Sequence, residues 1–144
     1  MEVNNIMKNE NMIEFEYEVS GDLDLNKLWS MYSNVENWKL WDEELERVKL
    51  DGDFTENTNG MMYFKNMPPV GIKLFDVTEN KEFSTTSELS EIAITIVFIH
   101  KISETKIFHK VSISSLADTD LSNFKEFEGD LIKSVDKLYE ICKK

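Results

Sequence analysis

Apolar and polar residues alternate with a period of two from Met12 to Ser20. Ile13, Phe15, Tyr17 and Val19 fall on one side, and Glu14, Glu16 and Glu18 on the other. Such alternation makes a half-buried β-strand with one charged face. Gly21 ends it, and Asp22 or Asp24 is placed to cap a helix in which Leu25, Leu28, Trp29 and Tyr32 recur at helical spacing. Asn34 can start a second short helix carrying Trp38 and Trp41, whose separation sets both indoles on one face as an aromatic wedge.

The period then returns to two. Leu45 to Lys49, Met61 to Lys65, Val70 to Thr78, Phe83 to Leu89, Ile92 to Ile102 and Lys106 to Ser115 read as strands. They are separated by the Asp51-Gly52 turn with the polar loop Thr55 to Asn59, by Pro68-Pro69, by Glu79-Asn80-Lys81 and by Ser103-Glu104-Thr105. Proline donates no ladder hydrogen bond, so Pro68-Pro69 must interrupt the pairing. Beyond these, Leu121, Phe124, Phe127, Leu131, Val135, Leu138 and Cys142 form the apolar stripe of a long amphipathic helix, with Asp118 or Asp120 as its N-cap. Gly129 falls mid-helix, where glycine costs about 1 kcal/mol relative to alanine. It either leaves room for a packing partner or marks a tolerant surface position.

The order strand, two short helices, six strands, long helix resembles the START-like, or helix-grip, superfamily, and within it the bacterial polyketide cyclase/dehydrase-type (SRPBCC) proteins. The segments carrying the resemblance are Ile13 to Val19, Asn34 to Asp42, Asp51-Gly52, Asn59-Gly60 and Asp76-Val77-Thr78-Glu79. It spans Met12 to Lys144 and implies an α+β fold: a curved seven-stranded antiparallel sheet wrapped around the C-terminal helix, with an apolar cavity between them. It implies no particular chemistry, because members include cyclases, lipid carriers, hormone receptors and co-chaperones.

Composition narrows the class. A chain of 144 residues is one domain, large enough to bury a core, with residues 1–11 expected as a poorly ordered N-terminal extension. The net charge of −12 repels nucleic acid and anionic membranes. No apolar run reaches the roughly 18–20 residues of a membrane span, and the polar N-terminus is unlike a secretory signal, so membrane insertion is not expected and a cytoplasmic location is. Lys143 and Lys144 are expected in the last helical turn, where cations complement the helix dipole. Cys142 alone excludes an internal disulfide and a cysteine metal cluster, and no cofactor is expected. A monomer is favoured over a homodimer, although Val97, Ile99 and Phe108 on the outer sheet face offer a patch that a second subunit would cover.

The hairpin of the last two strands carries the sharpest candidate chemistry. A two- or four-residue turn faces Ile102 with Ile107, His100 with His109 and Phe98 with Val111. The only two histidines thereby meet on the apolar face, close enough to hold one ligand or water. The alternative is a structural pair near the sheet rim, facing water or capping a helix end. A metal would need a third ligand, and no metal site is expected. Tyr17, Thr85 and Ser87 point inward with hydrogen-bonding groups, and Met61, Met62 and Met67 flank Pro68-Pro69 as an apolar lip.

The expected ligand-contacting set is Tyr17, Thr85, Ser87, Ile96, Phe98, His100, His109, Val111, Phe124 and Phe127. The sequence has no phosphate loop and no metalloprotease or dithiol motif, so no catalytic residue is assigned; His100 and His109 are the candidates for a general base. The expected function is binding of a small hydrophobic or amphipathic molecule, lipid- or polyketide-like. The alternatives are a cyclase or dehydratase using a histidine base and an acidic protein-interaction module. Replacing both histidines by glutamine is expected to spare folding and weaken ligand retention.

Overall fold

The first alternating segment forms β1 (Asn11–Ser20), its apolar side chains half-buried and its glutamates exposed. The computed structural model describes residues 11–117 and 120–144. The expected N-terminal extension lies outside them except for Asn11, which opens β1, and the Asp118 cap lies outside them too. Asp24 caps α1 (Leu25–Ser33), its carboxylate accepting from the Lys27 N–H at 3.1 Å. Asn34 accepts from the Glu36 N–H and starts a 3-10 turn, Val35–Asn37, that runs into α2 (Trp38–Trp41).

Six strands follow: β2 (Leu45–Leu50), β3 (Asn59–Phe64), β4 (Val70–Thr78), β5 (Glu82–Leu89), β6 (Ile94–Ile102) and β7 (Lys106–Ser115). The chain closes with α3 (Glu126–Cys142). All seven strands make one antiparallel sheet in the order β1-β7-β6-β5-β4-β3-β2. β1 therefore returns beside the last strand, and α3 packs across the concave face with Leu131, Val135, Leu138 and Cys142 buried. Each such side chain contributes about 1.5–3 kcal/mol through burial. No helix among the described residues is long and apolar enough to cross a membrane.

The structure departs from the pattern in three places and decides between the alternatives at Gly129. Ile92 lies in a 3-10 turn, Ser90–Ile92, and is exposed rather than strand-bound, because Ala93 adopts a left-handed conformation (φ 55°) that breaks the extension. The helical stripe opens with a separate 3-10 turn, Leu121–Phe124, capped by Asp120, before α3 begins. Lys143 and Lys144 lie beyond the last helical turn: Leu23 and Lys143 form a β-bridge, and the Lys144 N–H donates to the Asp22 carbonyl at 2.9 Å. Gly129 faces open space, so it is the tolerant surface position rather than a packing site.

Gly21 does have a packing reason. A Cβ there would stand 2.5 Å from Cε1 of Tyr139, so any larger residue would have to displace the Tyr139 ring where the end of α3 closes on the β1–α1 connection.

Register across the sheet positions the site. Phe83, His100, His109 and Tyr17 stand in one row on the inner face, and Leu74, Thr85, Phe98, Val111 and Phe15 in the next. Buried side chains divide into two clusters. One surrounds α1 and α2 (Leu28, Tyr32, Trp38, Trp41, Phe83), and the other holds Ile94, Ile96, Val111, Ile113, Leu121 and Leu131.

Candidate functional site

A cavity of about 360 Å³ takes its walls from both clusters and lies between the sheet and α3. Trp38, Trp41 and Met62 line it from one cluster, and Ile96, Phe98, Phe124, Phe127 and Leu131 from the other. The paired tryptophans are held by their own polar edges. The Trp38 indole N–H donates to the Tyr32 carbonyl at 2.7 Å, and that of Trp41 to the Met31 carbonyl at 3.0 Å. These carbonyls end α1 and would otherwise lack helical partners. The indoles thus fix α2 against α1 while their rings face the cavity.

His100 and His109 do pair across β6 and β7, with ring centroids 4.6 Å apart. They do not face water at a rim. His100 is 5% exposed and His109 1%, because α1, α2 and α3 cover the inner face there. Trp41 meets both rings edge-on, and His100 stacks on Phe83 at 4.1 Å.

Hydrogen bonding assigns each ring a tautomer. His100 Nδ1 lies 3.1 Å from the Phe83 carbonyl, which only accepts, so Nδ1 carries the proton and Nε2 a lone pair. Nε2 has no hydrogen-bond partner among the described residues. No sealed side-chain nitrogen or oxygen among them lacks one, so Nε2 opens onto the cavity. By the same reasoning the buried Thr85 and Ser87 hydroxyls are presented to the cavity.

His109 is fully engaged instead. The Ser134 hydroxyl donates to the Leu131 carbonyl at 2.8 Å, so its oxygen accepts from His109 Nδ1–H at 3.4 Å. The Tyr32 hydroxyl then donates to His109 Nε2 at 2.7 Å. A relay of three hydrogen bonds joins α1, the sheet and α3.

Burial sets the charges. It pushes the His100 pKa down to about 3, against the weaker pull of the Phe83 carbonyl. It also lowers His109 well below the ordinary imidazole value, with His100 beside it adding to the effect. Burial raises the Tyr32 phenol well above 10 and the Cys142 thiol to about 11. At neutral pH the cluster is uncharged, and Cys142 is a protonated core thiol rather than a nucleophile.

The other expected site residues divide. Ile96, Phe98, Phe124 and Phe127 line the cavity, as do Met62 and Met67 of the lip; Met61 points outward. Tyr17 does not reach it: its hydroxyl donates to Asp136 on the exposed side of α3 at 3.0 Å. Val111 faces inward but is sealed in the second cluster, away from the cavity. Tyr32, expected only in the apolar stripe of α1, and Ser134 were not among the expected site residues, although a tyrosine on the buried face of α1 signals a need for a hydroxyl partner.

Carboxylates at the mouth were missed as well: Asp42, Glu44, Glu126 and Asp130 all border the cavity. Asp42 is half-buried, and its carboxylate caps the Glu44 N–H. Burial, then the charges of Asp130, Glu44 and Glu43, raise its pKa to about 6 from an ordinary 3.8, against the hydrogen bond from Glu44. The folded protein therefore holds this proton more tightly than the unfolded chain. Below pH 3.8 the residue carries no penalty; the penalty grows as pH rises and is complete above about 6. Asp42→Asn keeps the capping oxygen. It is expected to add about 1–2 kcal/mol of stability at pH 7.5 and almost none at pH 3.5, measured by urea unfolding.

Among the described residues, no group of three or more His, Cys, Asp or Glu side chains is placed to hold a metal. No family model and no curated protein matches the sequence. Solved structures do. Norcoclaurine synthase from Thalictrum flavum is 11% identical over 95% of this chain and 90% of that one, with a TM-score of 0.71. Ara h 8.0201 is 13% identical over 90% and 99% of the two chains, with a TM-score of 0.65. The Mll3558 protein from Rhizobium loti is 10% identical over 89% and 98%, with a TM-score of 0.64. At these identities the likeness is one of fold. The chain has the helix-grip fold that the sequence resemblance implied.

Proposed function

We propose that this protein binds a small hydrophobic or amphipathic molecule between the sheet and α3. One observation carries the reading: an apolar cavity of about 360 Å³ contains a buried acceptor, His100 Nε2, and two hydroxyls, Thr85 and Ser87, without protein partners. That volume falls in the range of small-molecule sites, roughly 300–1,000 Å³. Aromatic and aliphatic walls supply burial, and a few convergent polar atoms set orientation. Native and denaturing mass spectra of freshly purified protein test this. A small non-covalent mass that leaves on denaturation is expected, and its retention should fall about five- to tenfold in His100→Gln. Clean apo spectra, with no saturable uptake of an apolar fluorescent dye, would overturn the reading.

The same lone pair favours a second reading, a cyclase- or dehydratase-type enzyme with His100 as general base. A pKa near 3 makes the resting imidazole a weak base, which ranks this reading below binding. His109 is poorly placed for the role because Tyr32 occupies its Nε2. Turnover of a polyketide-like substrate that is lost in His100→Gln and spared in Thr85→Ala would establish it.

A further inference from the structure

The cavity differs in character between its two ends. Its buried end is neutral and accepts hydrogen bonds: His100 Nε2 is an obligatory acceptor on a residue 5% exposed, and the adjacent hydroxyls of Thr85 and Ser87 accept or donate. Its mouth is anionic. Asp42 and Glu44, just after α2, stand opposite Glu126 and Asp130 on the first turns of α3. These carboxylates are near enough to perturb one another: Asp42 and Asp130 each raise their proton affinity chiefly through burial, then through the surrounding acids. Among the described residues, Lys65 on the lining, Lys133 beside Asp130 and Lys137, paired with Glu43 at 3.8 Å, are cations near the rim, and Asp42, Glu43, Glu44, Glu126 and Asp130 outnumber them.

Carboxylates ringing an apolar entrance repel one another, and they would repel a fatty acid or a phosphate-bearing guest more strongly still. A cation held there offsets the repulsion and gains charge-assisted hydrogen bonds. Building on the ligand-binding reading above, we propose that the guest is a cationic amphiphile. Its protonated amine rests at the mouth between Asp42, Glu44 and Asp130, its apolar or aromatic body fills the cavity, and a hydroxyl-type donor at the far end meets His100 Nε2.

Titration calorimetry with octylamine, octanol and octanoate at pH 7.5 and low salt separates charge from apolar burial. All three share one chain length, and only the head group changes. Octylamine is expected to bind about tenfold more tightly than octanol, and octanoate more weakly than either, with the preference shrinking as salt screens the mouth. In an Asp42→Asn/Glu44→Gln/Asp130→Asn triple variant the amine and the alcohol should bind within about twofold of each other, while octanol binding is retained. Octanol binding as tightly as octylamine, or an amine preference that survives the triple variant, would overturn the cation assignment and leave the cavity reading standing. Failure of all three to bind would remove both.

Discussion

Phe83→Ala is expected to lower unfolding stability by about 3–5 kcal/mol, the range for truncating a fully buried aromatic residue. The ring is 0% exposed and sits where four aromatic contacts converge, one of them with Phe54 at 5.3 Å. It stacks on His100 at 4.1 Å, lies 5.4 Å from Trp38 and meets Tyr32 edge-on at 4.8 Å. Neighbours held by hydrogen bonds cannot collapse into the space: His100 is tied to the Phe83 backbone carbonyl, and Trp38 to the end of α1. The loss is a large share of the 5–15 kcal/mol typical of a single domain. Phe83→Leu, expected to cost less, provides a folded comparison should the alanine variant not accumulate. Urea midpoints measure the effect, and a loss below about 1 kcal/mol for the alanine variant would contradict a rigid core behind the histidines. Guest binding should also weaken, because His100 loses the face that fixes its ring.

Much of this site was legible because β-structure has a period of two. Once Ile102 faces Ile107 across a short turn, parity alone forces His100 onto His109, and β6 and β7 keep that register without a bulge from Ile102↔Ile107 to Ile94↔Ser115. The same alternation places Thr85 and Ser87 inward on β5. Parity does not say how far along the inner face the cavity extends. Tyr17 and Val111 have the correct side but the wrong position: one meets Asp136 on α3, and the other is sealed against Ile113 and Leu131.

Nor does periodicity reveal burial of the histidine pair. That depends on α1, α2 and α3 converging over a hairpin distant in sequence, and it makes a double glutamine substitution a test of folding as much as of binding. Changing His109 removes the acceptor for Tyr32 and the donor to Ser134, whereas His100 alone leaves that relay intact. The acidic mouth was hidden for a similar reason. Residues 42–44 and 126–130 come together only when α2 meets α3, and within a chain of net charge −12 neither segment stands out.

His100 also predicts an acid dependence that a mutant comparison can isolate. Its folded pKa of about 3 lies below the ordinary 6.5, so the unfolded chain takes up the proton first as pH falls. The stability associated with the neutral buried ring is complete above pH 6.5 and is lost progressively as pH falls toward about 3. At pH 4.5, two units below the unfolded value, this linkage amounts to roughly 2–3 kcal/mol. His109 adds to the loss in the same direction. Asp42 opposes it, since its raised pKa favours the folded state as pH falls from about 6. The slope for the unaltered protein is therefore a difference between opposing groups. His100→Gln cancels the Asp42 contribution from the comparison and supplies an amide that can still donate to the Phe83 carbonyl. Measured against the unaltered protein, its relative stability should improve by roughly 2–3 kcal/mol between pH 7.5 and pH 4.5. Urea unfolding at the two pH values reads this directly. A gap that does not change with pH would mean that His100 is as readily protonated in the folded protein as in the unfolded chain, and so that its ring is not shut away from water as its burial requires.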